Sequence, residues 1–167
     1  MKKGKKFLYL IHNGHAKNDS TLVNDFKRPL SKIGIYKTVE LATILSSYKK
    51  SPPPDCILCS SALRARQTYD LVSHIYPNAE VYFKDSLYLA PLERLKNVLE
   101  ELDSIFSLGM IIGHNDGLEN LMHYLIKKTE LQDLPLDSSA CSLLELNITS
   151  WKEIMKSSGK FKTIFNF

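Results

Sequence analysis

Three short polar loops carry the side chains capable of chemistry in this chain of 167 residues. The first is His12-Asn13-Gly14, the second is Ser60-Ser61 with Arg64 just beyond it, and the third is Gly113-His114-Asn115. Together they offer imidazole, guanidinium and the amides of helix N-termini. Those groups favour an anion, and phosphate is the usual one. Neutral imidazole is also a good nucleophile near pH 7. His74 and His123 fall in helical stretches and read as solvated or core residues. No H-E-x-x-H spacing and no glycine-rich dinucleotide loop is present, so the expected metal and cofactor content is none.

Each loop needs an element to present it. Lys6 to His12 (KFLYLIH) is a short apolar run suited to a strand buried on both faces, broken by Asn13-Gly14. Asn18 to Lys27 reads as a polar loop. Pro29 and Ser31 announce a helix, with Ile35, Val39, Ala42 and Leu45 as its apolar spacing. Prolines 52 to 54 end that unit, and Cys56 to Cys59 is a second buried strand. A helix follows from Ala62 to Ile75, then a short strand from Glu80 to Phe83. Pro91 opens a helix expected to run through Phe106. Leu108 to Ile112 is a fourth strand, after which Asp116 is expected to cap the next helix. Late strands are expected at Cys141 to Ile148 and Phe161 to Phe167.

This alternation predicts an α/β chain, a three-layer α/β/α sandwich with a mostly parallel central sheet. Ligands in such sheets sit beyond the carboxyl ends of the strands, which is where all three loops fall. Residues 1–167 read as one domain, with 1–6 a frayed basic tail.

Composition narrows the classes. A hydrophobic fraction of 44% with 24% charged residues excludes disordered and coiled-coil chains. The net charge of +4 is mild and is concentrated in the lysines at 2, 3, 5 and 6, without a basic stripe interleaved with aromatics. Nucleic acid is therefore not an expected partner. No apolar run approaches the ~20 residues of a membrane span. The stretch Phe7 to Ile11 is too short for a secretory leader, so the expected compartment is the cytoplasm. The three cysteines, Cys56, Cys59 and Cys141, read as core and strand-end residues, because a zinc site would need two further ligands.

The loops carry a resemblance. FLYLIHNGHA is similar to the first strand and loop of the histidine phosphatase superfamily, which reads Arg-His-Gly there. SSALRARQT resembles that superfamily's second motif, and MIIGHNDGLENL its third. KRPLSKIG, LYLAPLERL and SSACSLLELN resemble the small SixA-like phosphohistidine phosphatase branch. The resemblance implies a phosphoglycerate mutase-like fold. It also implies a covalent mechanism, in which a histidine takes the phosphoryl group while two arginines and a second histidine stabilise its oxygens.

By that resemblance Arg64 and His114 are retained pocket residues. Asn13 stands at the nucleophile position and His12 at the first arginine position. Gly14 and Asn115 are expected to join the phosphate site, with His15, Arg28, Ser60 and Ser139 as candidate rim residues; Arg28 reads equally as a tie on the loop, and Asp25 before it resembles a recurrent acid of the branch. Arg66 is expected to face elsewhere as a salt-bridge partner, and Tyr88 to pack beneath the pocket. An amide cannot accept phosphorus as imidazole does, and His12 lacks arginine's bidentate fork.

The expectation is a phosphatase scaffold that binds phosphate, a phosphorylated small molecule or a phosphohistidine protein, with activity impaired or lost. Two alternatives stay open. One is an active phosphatase using His12 or His15, although alternation on an extended strand turns His12 and Asn13 to opposite faces unless a bulge intervenes. The other is an interaction module with a filled pocket and an exposed apolar patch.

Overall fold

The computed structural model describes residues 4–18, 24–50, 52–127 and 135–166. The strands are β1 (Lys6–His12), β2 (Cys56–Ser60), β3 (Glu80–Lys84), β4 (Leu108–Gly113), β5 (Cys141–Leu146) and β6 (Gly159–Phe165). The helices are α1 (Lys32–Ser47), α2 (Leu63–Ser73), α3 (Leu92–Glu100) and α4 (Asn115–Leu125). One six-stranded sheet runs β3-β2-β4-β1-β5-β6. The four strands from β3 to β1 are parallel, and β5 and β6 run against them. The expected α/β sandwich with a mostly parallel central part is therefore present.

Alternation along β1 sorts the two cores. Leu8 and Leu10 join the layer under α3 and α4, while Tyr9 and Ile11 join the layer under α1 and α2. Strands β2, β4 and β5 are buried along their whole length, which explains their near-continuous apolar sequences. The chain leaves β1 for β2 on one side and later returns past β1 to β5 on the other. The carboxyl ends of β1, β2 and β4 therefore open at a switch in strand order, where ligands bind in such sheets.

Several expectations are corrected. Lys6 belongs to no frayed tail: it opens β1 and is buried. Its Nζ donates to the carbonyls of Ser104 (2.9 Å) and Phe106 (2.8 Å) and lies over the Trp151 ring. Its aliphatic stem is what lets a lysine sit there. Lys5 pairs with Glu145 at 2.6 Å. The buried stripe of α1 is Gly34, Thr38, Leu41, Ala42 and Leu45, while Ile35 and Val39 are exposed. Helix α3 stops at Glu100, short of Phe106. His114 occupies the N-cap of α4 and Asp116 lies in the first turn, so Asp116 is not the cap. Arg66 lies over the Phe83 ring at 4.4 Å and is not in an ion pair among the described residues. Of the expected loop from Asn18 to Lys27, residues 19–23 lie outside the described residues, and Asp25–Lys27 form a short 3-10 turn. The late strands end earlier than expected, at Leu146 and Phe165.

Candidate phosphate site

A cavity of about 320 Å³ opens at the carboxyl end of the sheet, walled by His12, Asn13, Arg64, His114 and Asn115. Leu89, Asp116 and Gly117 complete the wall. A larger hollow of about 420 Å³ lies between β3 and α3. It holds no imidazole, and its lysine, Lys84, is already paired with Glu101 at 3.3 Å. The chemistry belongs to the smaller cavity.

His12 and Asn13 both reach this cavity without a bulge. Strand β1 ends at His12, and the cavity lies over the sheet's edge, where side chains from either face can enter. His12 keeps the parity of Leu8 and Leu10 and leans toward α4. Its Nδ1–H donates to the Leu136 carbonyl at 3.0 Å, and the Leu136 amide donates to Glu119 on α4 at 2.8 Å. The expectation that the pair must part is therefore corrected.

The first turn of α2 delivers Arg64, which is buried to 6% exposure. Its Nη2 donates to His114 Nδ1 at 3.2 Å and to Asp25 Oδ2 at 3.0 Å, and its Nη1 donates to the Asp25 carbonyl at 2.8 Å. With Nδ1 accepting, the His114 proton sits on Nε2 and is donated to Ser60 Oγ at 2.9 Å. Ser60 thus lies beneath His114 as its anchor, away from the rim. Burial, then the neighbouring Arg64 and His12, push His114 down to about 3, so the ring is neutral at pH 7. Burial also lowers His12. The Tyr88 ring meets His114 edge-on with centroids 5.3 Å apart.

Asp25, singled out in the sequence only as resembling a recurrent acid of the branch, is placed here by the fold, against Arg64. Its carboxylate receives Tyr88 Oη (2.6 Å), Arg28 Nη1 (2.8 Å) and Arg64 Nη2 (3.0 Å). The Tyr88 and Arg28 hydrogen bonds, with the Arg64 charge, hold it at about 2. Arg28 also donates to the Lys17 carbonyl at 2.9 Å, so it ties down the loop and does not line the cavity.

Asn13 is buried to 4% exposure. Its Nδ2 donates to the Gly14 carbonyl at 2.9 Å, and its Oδ1 is buried without a hydrogen-bond partner among the described residues. Asn115 Oδ1 is in the same condition. Gly14 is required by packing: a Cβ there would sit 2.7 Å from Thr38 Oγ1 and 2.9 Å from Leu30. Its amide donates to Thr68 Oγ1 at 2.9 Å. His15 points away from the cavity, is exposed, and hydrogen-bonds Ser31 Oγ at 2.9 Å. Ser139 is fully buried under the loop. Its amide donates to the His12 carbonyl at 3.1 Å, and its Oγ meets Thr38 Oγ1 at 3.0 Å. It is not a rim residue.

Leu89, Asp116 and Gly117 were also missed. Leu89 has φ of 46°, a conformation costing a leucine about 1–2 kcal/mol. A turn's φ has no marker in a sequence that places leucine there.

The remaining reactive types sit elsewhere. All three cysteines are free and buried; burial pushes Cys56 up to about 12 and raises Cys59 and Cys141 as well. His74 and His123 are exposed. Among the described residues no three His, Cys, Asp or Glu side chains gather as a metal cage, and no helix is long and apolar enough to cross a membrane.

No protein-family model matches the chain. An uncharacterised chloroplastic protein of Arabidopsis thaliana is 30% identical over 162 residues, spanning 91% of this chain and 72% of the plant protein. The chain belongs to that protein's family. Solved structures share its fold. A candidate phosphohistidine phosphatase SixA from Nakamurella multipartitia superposes with a TM-score of 0.80 at 20% identity, covering 98% of this chain and 96% of its own. A candidate SixA from Agrobacterium tumefaciens gives 0.80 at 20% identity, covering 96% and 97%. The protein histidine phosphatase SixA complexed with tungstate gives 0.76 at 19% identity, covering 95% of each chain. At these identities what is shared is the fold.

Proposed function

We propose that this chain, as one domain, is a SixA-like member of the histidine phosphatase superfamily whose cavity receives a phosphoryl group with impaired or no turnover. The group would come as inorganic phosphate, on a small molecule, or on a phosphohistidine side chain of a partner protein. The observation that carries this is the convergence of Arg64 and His114, 3.2 Å apart, on one cavity whose wall at position 13 is an amide. Arg64 supplies fixed positive donors, and the first turn of α4 adds backbone amides and the positive end of its dipole. Asn13 supplies no nucleophile, because its nitrogen lone pair is delocalised and its oxygen is sealed. The incoming phosphate competes with the Asp25 carboxylate for the guanidinium, which weakens binding. We place the chain in the cytoplasm; its plant relative is described as chloroplastic.

The second reading, turnover through a substitute imidazole, falls to His12. Its Nδ1–H is fixed on Leu136, and it lines the cavity. His15 does none of this. The interaction-module reading has less support. Helix α1 does expose Ile33, Tyr36 and Val39, but the cavity is open, with no described side chain filling it.

Calorimetric titration with inorganic phosphate tests the proposal. The parent chain should bind, and Arg64→Ala should lose at least about tenfold in affinity, since a charged hydrogen bond contributes roughly 1.5–3 kcal/mol. Equal affinity in both, or no binding by the parent, would refute it. Mass spectrometry of the same chain after exposure to a phosphohistidine peptide separates the two readings: an unmodified chain supports the first, and phosphorus on His12 supports the second.

A further inference from the structure

The cavity has a second character beyond its phosphate donors. Leu89 lines it with φ of 46° while 59% exposed. A bulky residue held in the left-handed region is an outlier, and such outliers cluster at functional sites. Here the fold gains little packing from the side chain in return.

The turn that imposes the strain is clamped from both sides. Tyr88 is held by Asp25, and Ala90 presses its carbonyl onto α4, where a Cβ on Gly117 would lie 2.0 Å away. Glycine or asparagine would accept that backbone without strain, yet the residue there is leucine. On the same cavity wall, Asp116 is exposed and belongs to no ion pair among the described residues. The mouth therefore presents an apolar lip and a carboxylate outside any described ion pair.

We propose that Leu89 and Asp116 select the group attached to the phosphoryl: Leu89 favours an uncharged apolar ring, and Asp116 rejects a second acid. This rests on the phosphate reading above. An apolar ring against the leucine loses water-exposed surface on both partners. A second carboxylate would meet the like charge of Asp116 at the cavity mouth, and the two repel.

Titration with inorganic phosphate, phenyl phosphate and phosphoglycolate tests this. The parent should bind phenyl phosphate more tightly than inorganic phosphate, and phosphoglycolate least tightly. Leu89→Gly removes the strain, so its melting temperature should not fall. Its phenyl phosphate affinity should drop roughly three- to tenfold, and by more than its inorganic phosphate affinity. Asp116→Asn should improve phosphoglycolate more than inorganic phosphate. The proposal is overturned if phenyl phosphate gains nothing over inorganic phosphate in the parent, or if Leu89→Gly weakens both equally. If none of the three anions binds, the phosphate reading itself fails and this inference goes with it.

Discussion

Replacing His12 with arginine and Asn13 with histidine together should yield a chain that hydrolyses phenyl phosphate at least about a hundredfold faster than the parent, the scale set by a single restored transition-state donor. The backbone is already arranged for the new histidine. Asn13 Nδ2 donates to the Gly14 carbonyl at 2.9 Å, and an imidazole Nδ1–H in its place can make the same bond, leaving Nε2 unprotonated toward the cavity. Arginine at position 12 would supply the fork that imidazole lacks, beside Arg64. The single changes should differ in kind. His12→Arg alone should tighten phosphate binding without turnover, and Asn13→His alone should give weak turnover. A double variant that folds, binds phosphate and remains inert would show that more than the nucleophile is missing.

Acidification should destabilise the protein from about pH 6.5 downward in phosphate-free buffer. His114 has a folded value near 3 against an ordinary 6.5, so between those pH values the unfolded chain binds a proton that the folded chain refuses. Stability therefore rises with pH across that window and is lost as pH falls through it, with the full cost reached near pH 3. A difference of that size corresponds to on the order of 5 kcal/mol. Asp25 acts later. Its folded value is lowered from 3.8 to about 2, so its contribution is complete above 3.8 and lost as pH falls through 2. Urea titrations at stepped pH check both windows. His114→Gln should flatten the slope between pH 6.5 and 3, and a parent chain of constant stability over that range would contradict the assignment of a buried neutral ring.

The fold was legible wherever burial leaves a long uniform trace. Strands β2 and β4 are buried on both faces, so their sequences are unbroken apolar runs. The loops that follow them could be placed from element order alone. What could not be read depends on three-dimensional neighbours. Ile35 and Val39 keep helical spacing, yet α1 turns Gly34 and Thr38 inward, because Gly34 must pass within contact of the His15 backbone. The terminal lysines read as a charged tail because a sequence does not display the aliphatic stem by which Lys6 crosses Trp151. Alternation misjudged His12 and Asn13 because it holds only inside a strand, and β1 ends between them. Asp25 sits in a polar stretch without periodicity, and only the folded loop brings its carboxylate onto a guanidinium 39 residues away in sequence.

A crystal structure of the parent chain soaked with tungstate tests the central claim most directly. The oxyanion should lie within hydrogen-bond distance of the Arg64 guanidinium and the first turn of α4, with the Asn13 amide on the cavity wall and no covalent bond from tungsten to any nitrogen. Tungstate bound elsewhere while Arg64 stays wholly engaged with Asp25, or tungsten coordinated by an imidazole nitrogen of His12, would contradict it.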